Sequence, residues 1–175
     1  MEILRHLRSL VLLPGMVLIV IPSTILWLNA GDPLGLWRSV PSSRVVLTIV
    51  GIACISLGLT LMVATIRLFP MVGKGTMAPW EPPQTLVVQG VYRHVRNPMI
   101  SGVLFVLFAE SVFTASLPVF QWFLIFAVIN AIYIPLLEEP WLVRRFGNDY
   151  LTYKRNVPRW IPRWQPWEGE SGHAK

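Results

Sequence analysis

The sequence predicts an all-α integral membrane protein, a single membrane domain with about four transmembrane helices, and three observations carry that prediction. The 175 residues are 54% hydrophobic and 14% charged, where soluble domains carry about a quarter charged residues. The mean hydropathy is +0.56, and eight Trp accompany eight Phe, which suits a chain whose solvent is a bilayer. Four apolar segments reach or approach the roughly 20 residues that a hydrocarbon core of about 30 Å demands.

The first segment, residues 10–28, is free of charge and carries Pro14 and Pro22, which bend a spanning helix without stopping it. Arg5 and Arg8 precede it as they would a signal peptide. Its apolar run is longer than such peptides use, and Leu28-Asn29-Ala30 lacks the small residue a cleavage site needs, so a retained helix is expected. Residues 45–68 form the longest segment, with Arg67 at its end and a small-residue stripe of Gly51, Cys54 and Gly58 that admits close helix packing. Residues 99–114 are short and hold Glu110, whose expected partners are Arg38 or Arg44. Residues 119–138 are apolar apart from Gln121 and Asn130, and close on Glu138 and Glu139. Ala115-Ser116-Leu117-Pro118 between the last two leaves room only for a tight helical hairpin.

Orientation follows from basic residues near the helix ends. With the N-terminus inside, the inner flanks take Arg5, Arg8, Arg67, Lys74, Arg93, Arg96 and the cations from Arg144 to Arg163, and the outer loops only Arg38 and Arg44. Both termini are therefore expected in the cytoplasm, in a multi-pass protein of a bacterial inner membrane. The net charge of +6 is spread along these flanks and forms no block, so nucleic acid is not an expected partner. One cysteine excludes an internal disulfide, and three scattered histidines give no metal-ligand spacing.

Two cytoplasmic pieces are unlike ordinary connectors. Residues 70–97 are long for a loop in a compact domain, which marks a functional segment, and Thr85-Leu86-Val87-Val88 reads as extended up to Gly90. In residues 140–167, Pro140 suits the first turn of a new helix. Trp141, Leu142, Phe146, Tyr150 and Tyr153 then recur at helical spacing with cations between them, giving an interfacial amphipathic helix. The tail from Pro158 to Trp164 alternates aromatic, proline and arginine, as a chain at headgroup level would.

Three features could carry chemistry. Glu138 and Glu139 sit at a helix C-terminus, where the macrodipole disfavours anions, so pairing with Arg96, Arg144 or Arg145, or a cationic ligand, must compensate them. Asn97 and Pro98 open the third segment as N-cap and first-turn proline, presenting free N–H groups suited to an anion. Arg93 and Arg96 beside it could hold an anionic acceptor. An anion-favouring helix start and a carboxylate pair at one level of the membrane together suit a zwitterionic ligand. No glycine-rich phosphate loop, dinucleotide fingerprint, zinc-protease or nucleophile-elbow motif is present.

The run Gly90-Val91-Tyr92-Arg93-His94-Val95-Arg96-Asn97-Pro98-Met99-Ile100-Ser101-Gly102 is followed, after one hairpin, by Glu138-Glu139-Pro140. Then come Phe146-Gly147-Asn148-Asp149-Tyr150, Tyr153 and Val157-Pro158-Arg159. This ordered set resembles the isoprenylcysteine carboxyl methyltransferase family, a group related to phospholipid methyltransferases. Ala78-Pro79-Trp80-Glu81-Pro82-Pro83 is similar to its bacterial branch, and the likeness covers about Gly73 to Arg163. It implies a membrane-embedded, S-adenosylmethionine-dependent methyltransferase with a cytoplasmic cofactor pocket and a lipophilic acceptor arriving from the bilayer. It places the cofactor contacts on Gln84, Thr85, Leu86, Val87, Tyr92, Asn97, Pro98, Met99, Ile100 and Glu138, with Glu139 alongside. Two departures are visible. Many members carry His at Asn97 and Tyr at Ile100, and eukaryotic members carry an acceptor-binding arginine at the position of Ile134. Without that arginine a free carboxylate acceptor lacks its partner, and burying it unpaired is costly. The same C-terminal motifs leave room for a phospholipid N-methyltransferase, a membrane reductase or a non-catalytic bundle.

Overall fold

The computed structural model describes residues 14–29, 41–68 and 85–169, all helix, turn or irregular chain with no strand among them. Arg38 and the stretch 70–84, including Lys74 and Gln84, lie outside the described residues. So does the side chain of Arg44, an expected partner of Glu110.

Five helices order the chain: α1 Met16–Leu28, α2 Pro41–Leu68, α3 Pro98–Thr114, α4 Leu117–Phe146 and α5 Asn148–Asn156. Two segments, Val45–Leu68 and Leu117–Phe146, are long and apolar enough to cross a membrane; α1 and α3 are apolar but shorter. Residues such as Ile49, Ile52 and Leu59 on α2 and Ile125, Val128 and Ile129 on α4 stand exposed. So much apolar surface fits hydrocarbon rather than water.

Helices α2 and α3 pack most closely. A Cβ built on Gly58 would stand 2.7 Å from the Gly102 carbonyl oxygen, and one on Gly102 would stand 2.8 Å from that of Gly58. Only glycines let the two backbones approach so nearly. Gly51, one end of the expected small-residue stripe, lies against the ring of Phe113. Around the crossing, Met62, Met99, Val103, Val106 and Leu107 form the core, with Val17 and Leu18 of α1 and Trp122, Phe123 and Phe126 of α4 packed on it.

Prolines are accommodated by widened turns. Residues Met16–Val20 form a π turn in which Ile21 N–H donates to Met16 O. The next such bond would need an N–H from Pro22, which has none. The orphaned Val17 carbonyl accepts instead from Trp122 Nε1 at 3.2 Å, tying α1 to α4. A second π turn, Ile134–Glu138, precedes Pro140 by the same two residues, with Glu139 N–H donating to Ile134 O.

That second turn corrects one expectation. The fourth helix does not end at Glu138 with a new one opening at Pro140; it runs unbroken to Phe146. The wider turn absorbs the missing donor of Pro140, which periodicity alone does not reveal. At about 1.5 Å per residue its 30 residues are longer than a hydrocarbon core of about 30 Å is thick. The break comes at Gly147, whose φ of 59° and ψ of −131° suit glycine alone. The expected hairpin is present: Ala115 is left-handed at φ 48°, and Ser116 caps α4 through Val119 N–H.

Candidate functional site

The site assembles at the end of the bundle where α3 begins and α4 leaves its apolar stretch. Residues 85–97 thread between two clusters. Val87 packs with Tyr92, Leu68 and Val91 on one side, while Leu86 and Val88 face Tyr150, Tyr153 and Val157 on the other. This alternation is that of an extended chain, and the turn Gly90–Arg93 follows it.

The C-terminal tail clasps the same segment through its backbone. Arg96 N–H donates to Pro158 O at 2.9 Å, Arg163 N–H to His94 O at 3.0 Å and Trp167 N–H to Arg93 O at 2.9 Å. Tyr153 Oη donates to Tyr92 O at 2.8 Å, and the Trp167 ring lies 5.9 Å from that of Tyr153. Burial, with the neighbouring Tyr153 and the Glu138 charge, pushes the Tyr92 phenol far above its ordinary range, so it stays protonated.

The two glutamates have different surroundings. Glu139 is buried, and Arg96 Nη1 at 2.8 Å and Arg159 Nε at 2.7 Å both donate to its Oε1. Lys154 Nζ lies 2.7 Å from Oε2. Three cations on one carboxylate hold it ionised and join α3's approach, α4, α5 and the tail at one point. Glu138 is half-buried, and among the described residues nothing hydrogen-bonds or ion-pairs with it. Its charge bears on Tyr92 and Tyr150, which places it on the side of the loop.

Of the partners expected for the pair, Arg96 is present, whereas Arg144 and Arg145 are exposed and Arg145 lies over the Trp141 ring at 5.2 Å. Lys154 and Arg159 take their place. No sequence spacing announces them, since they sit on a later helix and an irregular tail. Both guanidiniums proposed for an acceptor are engaged within the protein. Arg93 Nε donates to Trp167 O at 2.6 Å, and the Arg96 side chain, 9% exposed, serves Glu139.

Asn97 occupies the N-cap of α3 and Pro98 follows it, but the Asn97 side chain makes no capping bond. The N–H groups of Met99 and Ile100 therefore open the helix uncapped. Thr85, Leu86, Val87, Tyr92, Asn97 to Ile100 and Glu138 are thus gathered at one end of the bundle, while Gln84 lies outside the described residues. Among the described residues no group of His, Cys, Asp or Glu could hold a metal ion.

A zwitterionic, cationic ligand fits this arrangement. Glu138 offers an unclaimed negative charge, and the start of α3 offers N–H donors to an anion. Two known groups of proteins resemble the chain. A 76-residue stretch is 36% identical to methanethiol S-methyltransferase 2 of Bradyrhizobium diazoefficiens, covering 42% of this chain and 27% of that protein. The chain thus matches about a quarter of that relative's length. Residues 46–149, more than half of the chain, match the phospholipid methyltransferase family. The protein belongs to that family, in keeping with the resemblance read from its C-terminal motifs.

Proposed function

From that membership we propose a multi-pass membrane enzyme, with four helices in the bilayer and both termini cytoplasmic, that moves a methyl group from S-adenosylmethionine to a lipophilic acceptor. The observation that carries the cofactor site is Glu138, the one carboxylate of the pair left without a cation. Bound there, S-adenosylmethionine would supply an electrophilic methyl group on a sulfonium, open to in-line displacement. Glu138 would then meet the cofactor's positive charge and the Met99 and Ile100 N–H groups its carboxylate, with Asn97 and Pro98 shaping the helix start. Thr85, Leu86 and Val87 would line the pocket, and Gln84 is proposed as a further contact. Tyr92, neutral beside Glu138, is proposed as another contact. The tail and residues 85–97 together would exclude water, and rate comes chiefly from holding donor and acceptor in line.

The acceptor reading is narrowed by the arginines. Arg96 is committed to Glu139, Arg93 gives its Nε to the Trp167 carbonyl and has Glu168 3.9 Å from an Nη, and Ile134 adds no cation. This supports a lipid acceptor with an uncharged nucleophile, such as a phospholipid amine that has released its ammonium proton to solvent before transfer, over carboxyl O-methylation of an isoprenylcysteine. The small thiol named for the relative is a third acceptor within the same chemistry. Radiolabelled methyl transfer to a total lipid extract, to acetyl-farnesylcysteine and to methanethiol tests the reading. Label in the lipid headgroup fraction is expected. Efficient labelling of the farnesylcysteine compound would overturn the acceptor assignment, and label in no pool would overturn the lipid acceptor altogether.

A further inference from the structure

Between Glu139 and Gly169 the sequence holds six basic and three acidic side chains. Glu139 is consumed by Arg96, Lys154 and Arg159, and Glu168 lies 3.9 Å from Arg93. Arg144, Arg145 and Arg155 remain exposed, as does Asp149, the third acid. The tail that follows α5 presents two large apolar side chains to the outside, Ile161 at 79% and Trp164 at 99% exposed. Arg159 precedes them and Arg163 lies between them, and Pro158, Pro162 and Pro166 stiffen the chain. A wholly exposed tryptophan beside an exposed isoleucine is unfavourable in water. The tail is pinned by backbone bonds to residues 93–96, which lead directly into α3. It therefore lies at the end of the bundle where helices leave the hydrocarbon.

We infer that Ile161 and Trp164, with Arg163 and the exposed arginines of α4 and α5, dock onto anionic phospholipid headgroups of the cytoplasmic leaflet, and that this docking tightens the cofactor site. The charge decides the partner. Exposed apolar side chains beside Arg163, on a stretch whose Arg144, Arg145 and Arg155 have no ion pair among the described residues, fit an interface that is oily within and negative at its surface. Coupling follows from the clasp. The tail that meets lipid is the one whose Pro158, Arg163 and Trp167 hold Arg96, His94 and Arg93, so seating it steadies the stretch between Tyr92 and Asn97. The cofactor half of this inference rests on the methyltransferase reading; the docking half does not.

The test uses the full chain in nanodiscs of phosphatidylcholine alone or mixed with phosphatidylglycerol. An environment-sensitive fluorophore is attached through Trp164→Cys in a Cys54→Ala background. Emission should shift to the blue only in the anionic discs, and high salt should reverse the shift. Unlabelled wild type should bind S-adenosylhomocysteine about fivefold more tightly in anionic than in neutral discs, the lower end of ordinary coupling. Ile161→Ser/Trp164→Ser, whose side chains are already outside the fold, should lose that difference and keep the neutral-disc affinity. Water-like emission in both discs overturns the docking. A blue shift with equal affinities in both discs overturns the coupling. A blue shift independent of lipid charge, appearing with self-association, assigns the surface to a second copy and overturns the lipid partner. Wild type that binds no S-adenosylhomocysteine in either disc counts against the methyltransferase reading, while the emission still decides the docking.

Discussion

Replacing Glu139 by Gln removes the charge on which three cations converge while keeping the shape. The cost falls unequally on its partners. Lys154 and Arg159 have side chains 40% and 28% exposed, so both can turn to water, and each pair counts for about 0–1 kcal/mol. Arg96 cannot. Its side chain is 9% exposed and its Nε has no partner, so the guanidinium would be left buried without a counter-charge. Removing one member of such a buried pair costs about 3–5 kcal/mol. The Gln carbonyl still accepts one hydrogen bond, which lowers the expectation to about 3 kcal/mol. For a chain of this size that is a fall in Tm on the order of 10 °C. Thermal unfolding of the detergent-purified variants reads it directly. Two controls sharpen the result. Glu138→Gln, which breaks no ion pair, should melt close to wild type, and Arg96→Met with Glu139→Leu should lose less than Glu139→Gln alone, because no charge is then stranded. A Tm for Glu139→Gln within about 2 °C of wild type, or equal losses for the two glutamate variants, would refute the division of roles between them.

Two further predictions follow the same structure. Cysteines at Ser42 and Ser116, in a Cys54→Ala background, should label only from outside the cell and one at Ser171 only from the cytoplasm; external labelling at Ser171 would reverse the orientation. Burial, assisted by the Glu139 charge, pushes the Tyr150 phenol from its ordinary value near 10.0 up to about 12. Between those values the unfolded chain has released its proton and the folded one has not, so stability falls as pH rises through that window. Tyr150→Phe should flatten the fall, and an unchanged pH profile of Tm in that variant would contradict the assignment.

Much of this arrangement was legible in the sequence, and the reasons differ by element. Hydropathy located the apolar segments because each is a continuous run, and the stripe Gly51, Cys54, Gly58 announced the close crossing that Gly102 completes. Asn97-Pro98 marked the start of α3 by local chemistry alone. The path of α4 through Pro140 was not legible, because a π turn is a response to packing that leaves periodicity unchanged. Nor was the difference between Glu138 and Glu139. Adjacent on a helix, they point apart, and the cations that separate them, Lys154 and Arg159, arrive from elements placed only by the fold. The engagement of Arg93 by the Trp167 carbonyl was hidden for the same reason, since 74 residues separate the partners.

Glu138, left without a cation, is the group proposed to bind the methyl donor. Calorimetric titration of S-adenosylhomocysteine into the purified wild type and into Glu138→Gln tests it most directly. The wild type should show saturable one-site binding. Glu138→Gln, folded by its melting curve, should bind about 10- to 100-fold more weakly, the value of one charge-assisted contact of about 1.5–3 kcal/mol. Equal affinity in the two proteins would contradict it.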